Sequence, residues 1–255
     1  MTVVFVHGWG ATKELWWNAI SRLPQDIRGI AIDIRRDRDM QSMRDLARWL
    51  SSLITSLRDD NPSGRVYLAG HSMGGNLCAE TALSYPDLVD GLILVDAALL
   101  VEGLPARARW SVSPAYGMAA LRAARMAAWP FGLLGSRVRH DHDGGHWGPY
   151  ARRAWLYLQG GDDYALQKHM QVLLGNRITP ERLKTLSIPL LIIHGERDGI
   201  VPVEHARRFA AAMPDATLRI MPRSMHCPMD WDPVTFAGYL NEFLTGSGAG
   251  ARGSG

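Results

Sequence analysis

The chain has 255 residues, 47% of them hydrophobic and 21% charged, and 28 Lys+Arg against 25 Asp+Glu leave a net charge of +3. That profile excludes a disordered tail, a collagenous chain and a disulfide-stapled mini-protein, and at roughly 100–200 residues per domain it fits one large domain or two small ones with ample apolar material for a core. A pI near 9.0 invites a nucleic-acid reading, but a charge of this size is a weak field and its distribution has to decide.

In chain order, Val3 to Val6 is a short β-branched strand followed by the loop His7-Gly8-Trp9-Gly10. A helical segment, Lys13 to Leu23, leads to a second strand at Gly29 to Ile34 and a charged loop, Asp33-Ile34-Arg35-Arg36-Asp37-Arg38-Asp39. A helix over Met40 to Leu57, a strand over Val66 to Ala69, a helix from Ser72 to Tyr85 and a strand over Leu92 to Val95 follow. From Ala97 to Ile188 there is no convincing strand, only helix-like stretches rich in Ala, Arg, Trp and Met. The rhythm resumes with a strand at Leu190 to Ile193, a helix at Val203 to Met213, a strand at Thr217 to Ile220 and a helix at Pro233 to Leu244. The Gly/Ser/Ala-rich stretch Thr245 to Gly255 is expected to be a flexible tail. Strands alternating with helices, each strand apolar on both faces, predict an α/β fold with a mostly parallel sheet covered on both sides. Residues 1–96 and 188–244 would form the core, and 97–187 a helical cap over the carboxyl end of the sheet, where loops of such folds carry function. The alternative is a separate small helical domain.

Two cysteines, Cys78 and Cys227, are too few for a disulfide framework or a thiolate metal site and fit a reducing compartment. The N-terminus lacks a signal-peptide pattern. The most apolar long stretch, Ala115 to Gly135, is interrupted by Arg122, Arg125 and Pro130 and falls short of a membrane span. A cytoplasmic protein is therefore expected.

The most informative segment is Gly70-His71-Ser72-Met73-Gly74, a G-x-S-x-G between a strand and a helix, the context that gives this pattern meaning. A serine on so sharp a turn has a strained backbone that small neighbours permit, and its hydroxyl stands at a helix N-terminus, which favours developing negative charge. A hydroxyl is a poor nucleophile without a base, so a histidine oriented by an acid is required. His226 lies in the loop after the last strand, at the same sheet end, and Asp198 follows the preceding strand in Gly-x-x-Asp-Gly-x-Val-Pro, a tight turn that presents a carboxylate. The order Ser72, Asp198, His226 is that of a Ser…Asp…His triad. Asp96, at the end of Leu92 to Val95, is the rival acid, or else a cap for the start of the inserted region. Oxyanion donors are expected from the backbone N–H of Met73 and of Trp9, and Trp9 also as a wall of an acyl pocket. His7 reads as a buried, hydrogen-bonded residue that fixes its loop.

With HGWG, GHSMGG, GERDGIVP and SMH in this order, the chain resembles an α/β-hydrolase of the small capped esterase type, similar in its HGWG loop and length to pimeloyl-carrier-protein methyl ester esterases of biotin synthesis. The resemblance implies a carboxylesterase. Three departures stand out: the two antiparallel strands that usually precede the HG loop are lacking, so a sheet shortened at its N-terminal side is expected; a charged loop replaces Asp-x-Pro-Gly-x-Gly-x-Ser; and Cys227-Pro228 follows the candidate histidine. The resemblance also excludes halide and epoxide chemistry, whose members carry a carboxylate at the elbow.

His140-Asp141-His142-Asp143 with His146 looks like a metal cluster, but a polar Gly-rich turn explains it as well, and no metal is assigned. Trp16, Trp17, Trp110, Trp129, Trp147 and Trp155 read as packing, with those of the cap suited to an apolar tunnel. No phosphate loop is present, and no cofactor is called for. Leu104 to His140 holds six arginines (Arg107, Arg109, Arg122, Arg125, Arg137 and Arg139) and no acid, so this stretch is +6 and the remainder −3. It is either a solvated face or, with Arg122 and Arg125 as substrate-binding residues, a surface for an anionic partner such as an acyl carrier protein. Nucleic acid is not expected. Three functions stay open: a serine hydrolase of a carboxylic ester or thioester acting on a small molecule or a carrier-bound acyl group; a thioesterase, acyltransferase or cyclase; and a ligand receptor or lyase on the same fold.

Overall fold

Side chains alternate between the two faces of a strand, and both faces of this sheet are covered by apolar layers. The computed structural model describes residues 1–35, 40–60, 64–104, 106, 112–113, 117–135 (131–135 as backbone) and 163–246. Its strands are β1 (Thr2–Val6), β2 (Arg28–Ile32), β3 (Val66–His71), β4 (Gly91–Val95), β5 (Leu190–Gly195) and β6 (Thr217–Met221). They form one sheet in the order β2-β1-β3-β4-β5-β6, each neighbouring pair parallel. The described helices are α1 (Trp17–Ile20, entered through a 3-10 turn at Lys13–Trp16), α2 (Met43–Asp60), α3 (Met73–Ser84), α4 (Gly117–Gly135), α5 (Asp163–Leu174), α6 (Pro180–Leu183), α7 (Val203–Ala212), α8 (Pro228–Trp231) and α9 (Pro233–Gly246).

Val4, Val6, Leu68, Leu92 and Leu94 face α2 and α3, where Leu46, Leu50, Ile54 and Leu77 complete the layer. Val3, Phe5, Tyr67, Ile93 and Val95 face the opposite way, against Trp16 and the Phe236, Leu240 and Leu244 stripe of α9. Burial on both faces holds for the central strands. The edge strands β2 and β6 are largely half-buried, because an edge has a neighbour on one side alone. Helix α2 starts at Met43 rather than Met40: Ser42 Oγ accepts the Asp45 N–H at 3.3 Å while Asp45 Oδ2 accepts the Ser42 N–H at 2.9 Å, a reciprocal cap that fixes the first turn. The expected helix at Lys13 to Leu23 is instead a 3-10 turn and a four-residue helix. The short helix α8, opened by Pro228, is absent from the sequence reading.

Between β4 and β5, the described residues contain helices and no strand. The base of this inserted segment is fixed to α3. Fully buried Asn76 donates to Ala98 O at 2.8 Å and accepts from Asn176 Nδ2 at 2.8 Å, and Ile178 N–H donates to Leu99 O at 2.9 Å. Both ends of the insertion are thereby held to the helix that follows Ser72. Helix α4 runs through Pro130. No helix among the described residues is long and apolar enough to cross a membrane. The His140–His146 cluster, Trp110, Trp147 and Trp155, four of the six arginines and residues 247–255 lie outside the described residues.

Candidate active site

Among the described residues, four non-glycine ones have positive φ: Ser72 (53°), Asp96 (44°), Arg223 (62°) and Cys227 (140°). All four lie just beyond the carboxyl ends of strands, after β3, β4 and β6. Such backbone costs of order 1–3 kcal/mol per residue and persists where the surrounding structure fixes it. At Ser72 the restraint is visible: its N–H donates to Val95 O at 2.9 Å, and its carbonyl accepts from Gly75, Asn76 and Ala98 at 3.0, 3.2 and 3.0 Å. A side chain on Gly70 would collide with the backbone of Gly74, and one on Gly74 with the carbonyls of Val6 and His7. The glycines let β1, β3 and α3 close tightly around the serine. Met73 is the first residue of α3, so the helix's own ladder does not use its N–H.

The loop after β1 lies against this turn. A Cβ on Gly8 would sit 2.7 Å from His71 Nδ1 and 3.0 Å from Ser72 Cβ. His7 is buried, accepts the Ile34 N–H on Nε2 at 3.0 Å and donates Nδ1–H to Gly8 O at 2.8 Å. It ties the loop after β1 to the chain after β2, as its reading as a loop-fixing residue requires. Trp9 is half-buried, and its indole N–H donates to Leu166 O of α5 at 2.6 Å.

His226 Nδ1–H donates to Asp198 Oδ2 at 2.6 Å, and Asp198 Oδ1 accepts the N–H groups of Ile200 and Val201 at 2.8 and 3.1 Å. With Nδ1 committed to the carboxylate, the neutral imidazole carries its lone pair on Nε2. Burial pushes the Asp198 carboxyl up, but the contacts of His194 and His226 and the Ile200 N–H outweigh it and hold it well below the usual carboxylate range. Of the two rival acids, Asp198 therefore takes the histidine; Asp96 Oδ2 is 3.9 Å from His226 Nδ1.

His194 had no place in the sequence reading. It is buried, donates Nε2–H to Val201 O at 3.0 Å, and stands 3.5 Å from Asp198 Oδ2 and 3.7 Å from Asp96 Oδ1. Burial pushes its imidazole down, and the two carboxylates more than compensate, raising it overall. The spacing of His194 and Asp198, four residues apart across a turn, was the available signal. His71 lies with its ring centroid 4.6 Å from that of His226 and Nε2 3.6 Å from Cys227 Sγ. Arg122 and Arg125 lie on α4, away from this cluster in sequence and element, with Nε 3.2 and 3.6 Å from the two oxygens of Asp163. Asp163 offsets part of their charge.

Residues 3–238 match the alpha/beta hydrolase family. The chain is 28% identical over 258 residues to a 2-hydroxy-6-oxo-6-(2'-aminophenyl)hexa-2,4-dienoic acid hydrolase of Metapseudomonas resinovorans, covering 95% of this chain and 83% of that one. It is 25% identical over 247 residues to a pimeloyl-[acyl-carrier protein] methyl ester esterase of Vibrio vulnificus, covering 94% and 93% of the two chains. Among solved structures, a thermophilic esterase from Thermogutta terrifontis superposes with a TM-score of 0.73 at 21% identity, over 97% of this chain and 90% of that one.

Proposed function

From the premise that this chain belongs to the alpha/beta hydrolase family, we propose that it is a serine hydrolase that cleaves a carboxylic ester or thioester through an acyl-enzyme. Ser72 attacks the carbonyl carbon, and His226 Nε2 takes the hydroxyl proton while Asp198 holds the imidazole in that tautomer. The N–H groups of Met73 and Trp9 stabilise the oxyanion. Collapse of the tetrahedral intermediate returns the proton from His226 to the departing alcohol or thiol, and water then releases the acid by the same steps. The observation that carries this reading is the 2.6 Å bond from His226 Nδ1 to a carboxylate at the same carboxyl end of the sheet as a strained serine that opens a helix.

A fluorophosphonate probe tests it. The expected result is one label per chain, lost in Ser72→Ala. Folded protein that does not label, or labels equally after the substitution, overturns the mechanism.

The helices of 97–187 act as the cap in this reading, with Trp9 walling the acyl pocket and Arg122 and Arg125 drawing an anionic group toward its mouth. An acyl-carrier substrate is favoured by the name of the Vibrio relative. A small free acid is the second reading, favoured by the name of the Metapseudomonas relative. Attack on a carbonyl is common to both, but in a 6-oxo acid the bond that breaks is carbon–carbon, so the proton goes to the departing carbon instead of to an alcohol or thiol.

A further inference from the structure

Asp96 directly follows β4, with its side chain fully buried. Its Oδ2 is 3.9 Å from His226 Nδ1, against 2.6 Å for Asp198 Oδ2, and its hydrogen bonds go elsewhere. Oδ1 accepts the N–H of Gly195 at 2.8 Å and Oδ2 the N–H of Cys227 at 3.0 Å. Gly195 ends β5, three residues before Asp198, and Cys227 directly follows His226. One side chain thus grips the backbones of the two loops whose side chains form the acid–histidine pair. Its own backbone is held at φ 44° by an N–H bond to Ile193 O at 3.0 Å.

This arrangement is costly. A buried carboxyl loses its hydration, and a second acid, Asp198, shares the cluster; burial and that neighbour push the Asp96 carboxyl up against the pull of His194 and His226. His71, with a ring nitrogen within 4.8 Å of a carboxylate oxygen of Asp96 and a ring nitrogen of His226, and the Cys227 thiol complete the titratable surroundings. A strand end needing no more than a cap would be served by Asn or Ser, without the burden of a buried acid. Two acceptor oxygens spaced to hold two separate N–H groups are what a carboxylate supplies.

We infer that Asp96 is a positioning residue for His226, bridging the β5 turn and the histidine loop through Gly195 and Cys227 so that the bond between His226 and Asp198 forms in one geometry. The inference rests on the serine-hydrolase reading for its consequence in rate, and on the His226–Asp198 pair alone for its structural content. A displacement of about 1 Å at a reacting group costs on the order of 10²-fold in rate.

The test compares wild type, Asp96→Ala, Asp96→Asn and Ile54→Ala, a core variant in α2 that loses stability without touching the site. Two quantities are read: the fluorophosphonate labelling parameters, and the low-field proton resonance of His226 Nδ1–H, also recorded in Ser72→Ala. For Asp96→Ala the maximal labelling rate falls about 10²-fold, the probe's half-saturation changes by less than about threefold, and the resonance broadens or moves upfield. Asp96→Asn, with one oxygen retained, shows the same changes at smaller size and carries the test should Asp96→Ala fail to fold. Ile54→Ala keeps the wild-type labelling rate and resonance. Asp96 variants that label and resonate like Ile54→Ala overturn the inference. Absence of labelling in wild type overturns the serine mechanism instead, and the resonance then still decides whether Asp96 positions His226.

Discussion

Within the acid–histidine cluster, two buried carboxyls are shifted in opposite directions, Asp198 down and Asp96 up. Asp198 is depressed overall, so its contribution to stability is present above the ordinary carboxylate range and is lost as the pH falls below about 5. Asp96 is raised, so its ionisation opposes folding as the pH rises. His194 is raised, and its contribution is full below the ordinary imidazole value and lost as the pH rises through its folded one. Asp198→Asn should therefore lower the melting temperature at neutral pH, with the gap to wild type narrowing below about pH 5; a gap of constant size down to acid pH would contradict the assignment. The same variant leaves an amide facing Nδ1, which favours the wrong tautomer, and should lower the maximal rate by about 10³–10⁴-fold. At Gly74 the test is steric: Gly74→Ala places a methyl against two backbone carbonyls, and denaturant unfolding should show a loss of at least about 1–3 kcal/mol.

Helix α3 is the element on which most of the site depends. Its N-terminus carries Ser72 and Met73, its first turn fits against β1 because of Gly74, and two residues after Gly74 Asn76 binds both ends of the insertion. Further along, Glu80 is buried to 1% exposure and takes Asn176 Nδ2 at 3.2 Å and Arg182 at 3.1 Å, with Arg44 Nε at 3.5 Å. Removing Asn76 would leave Asn176 and the Ala98 carbonyl without these bonds, and an unmet buried polar group costs about 1–3 kcal/mol. Asn76→Ala should accordingly lower stability by that amount and speed tryptic cleavage within 97–187 more than cleavage in the core. Equal acceleration everywhere would show that the clamp is not local to the insertion. The helix was legible in the sequence from the strand before it and the glycines at its head. The clamp was not, because Asn176 is a hundred residues from Asn76 and no local pattern links them.

At the scale of the whole molecule, the modest net charge conceals an uneven distribution: Leu104 to His140 carries six arginines and no acid. Asp163, beyond that stretch, lies against two of them, so its negative charge offsets part of the field of Arg122 and Arg125. If they draw in a carrier-bound substrate, the double neutralisation Arg122→Gln, Arg125→Gln should raise KM for it more than for a small neutral ester, with the difference shrinking at high salt as screening grows. Equal effects on both substrates would leave these arginines a structural pair with Asp163.

Local chemistry was enough to determine the strand and helix alternation and the serine turn, since each depends on residues close together in the chain: short runs apolar on both faces and small residues around a tight turn; a carboxylate before Gly-x-Val-Pro marked Asp198 as a candidate acid. The tertiary structure alone decided which acid meets His226. Asp96 and Asp198 both end up at the carboxyl end of the sheet, and their roles separate through bonds to Gly195, Cys227, Ile200 and Val201. It likewise brought His194 between the two acids and set Asp163 against the arginines of α4. These choices depend on which strands are neighbours in the parallel sheet, and parallel neighbours are joined by long crossovers, so the residues that meet lie far apart in sequence.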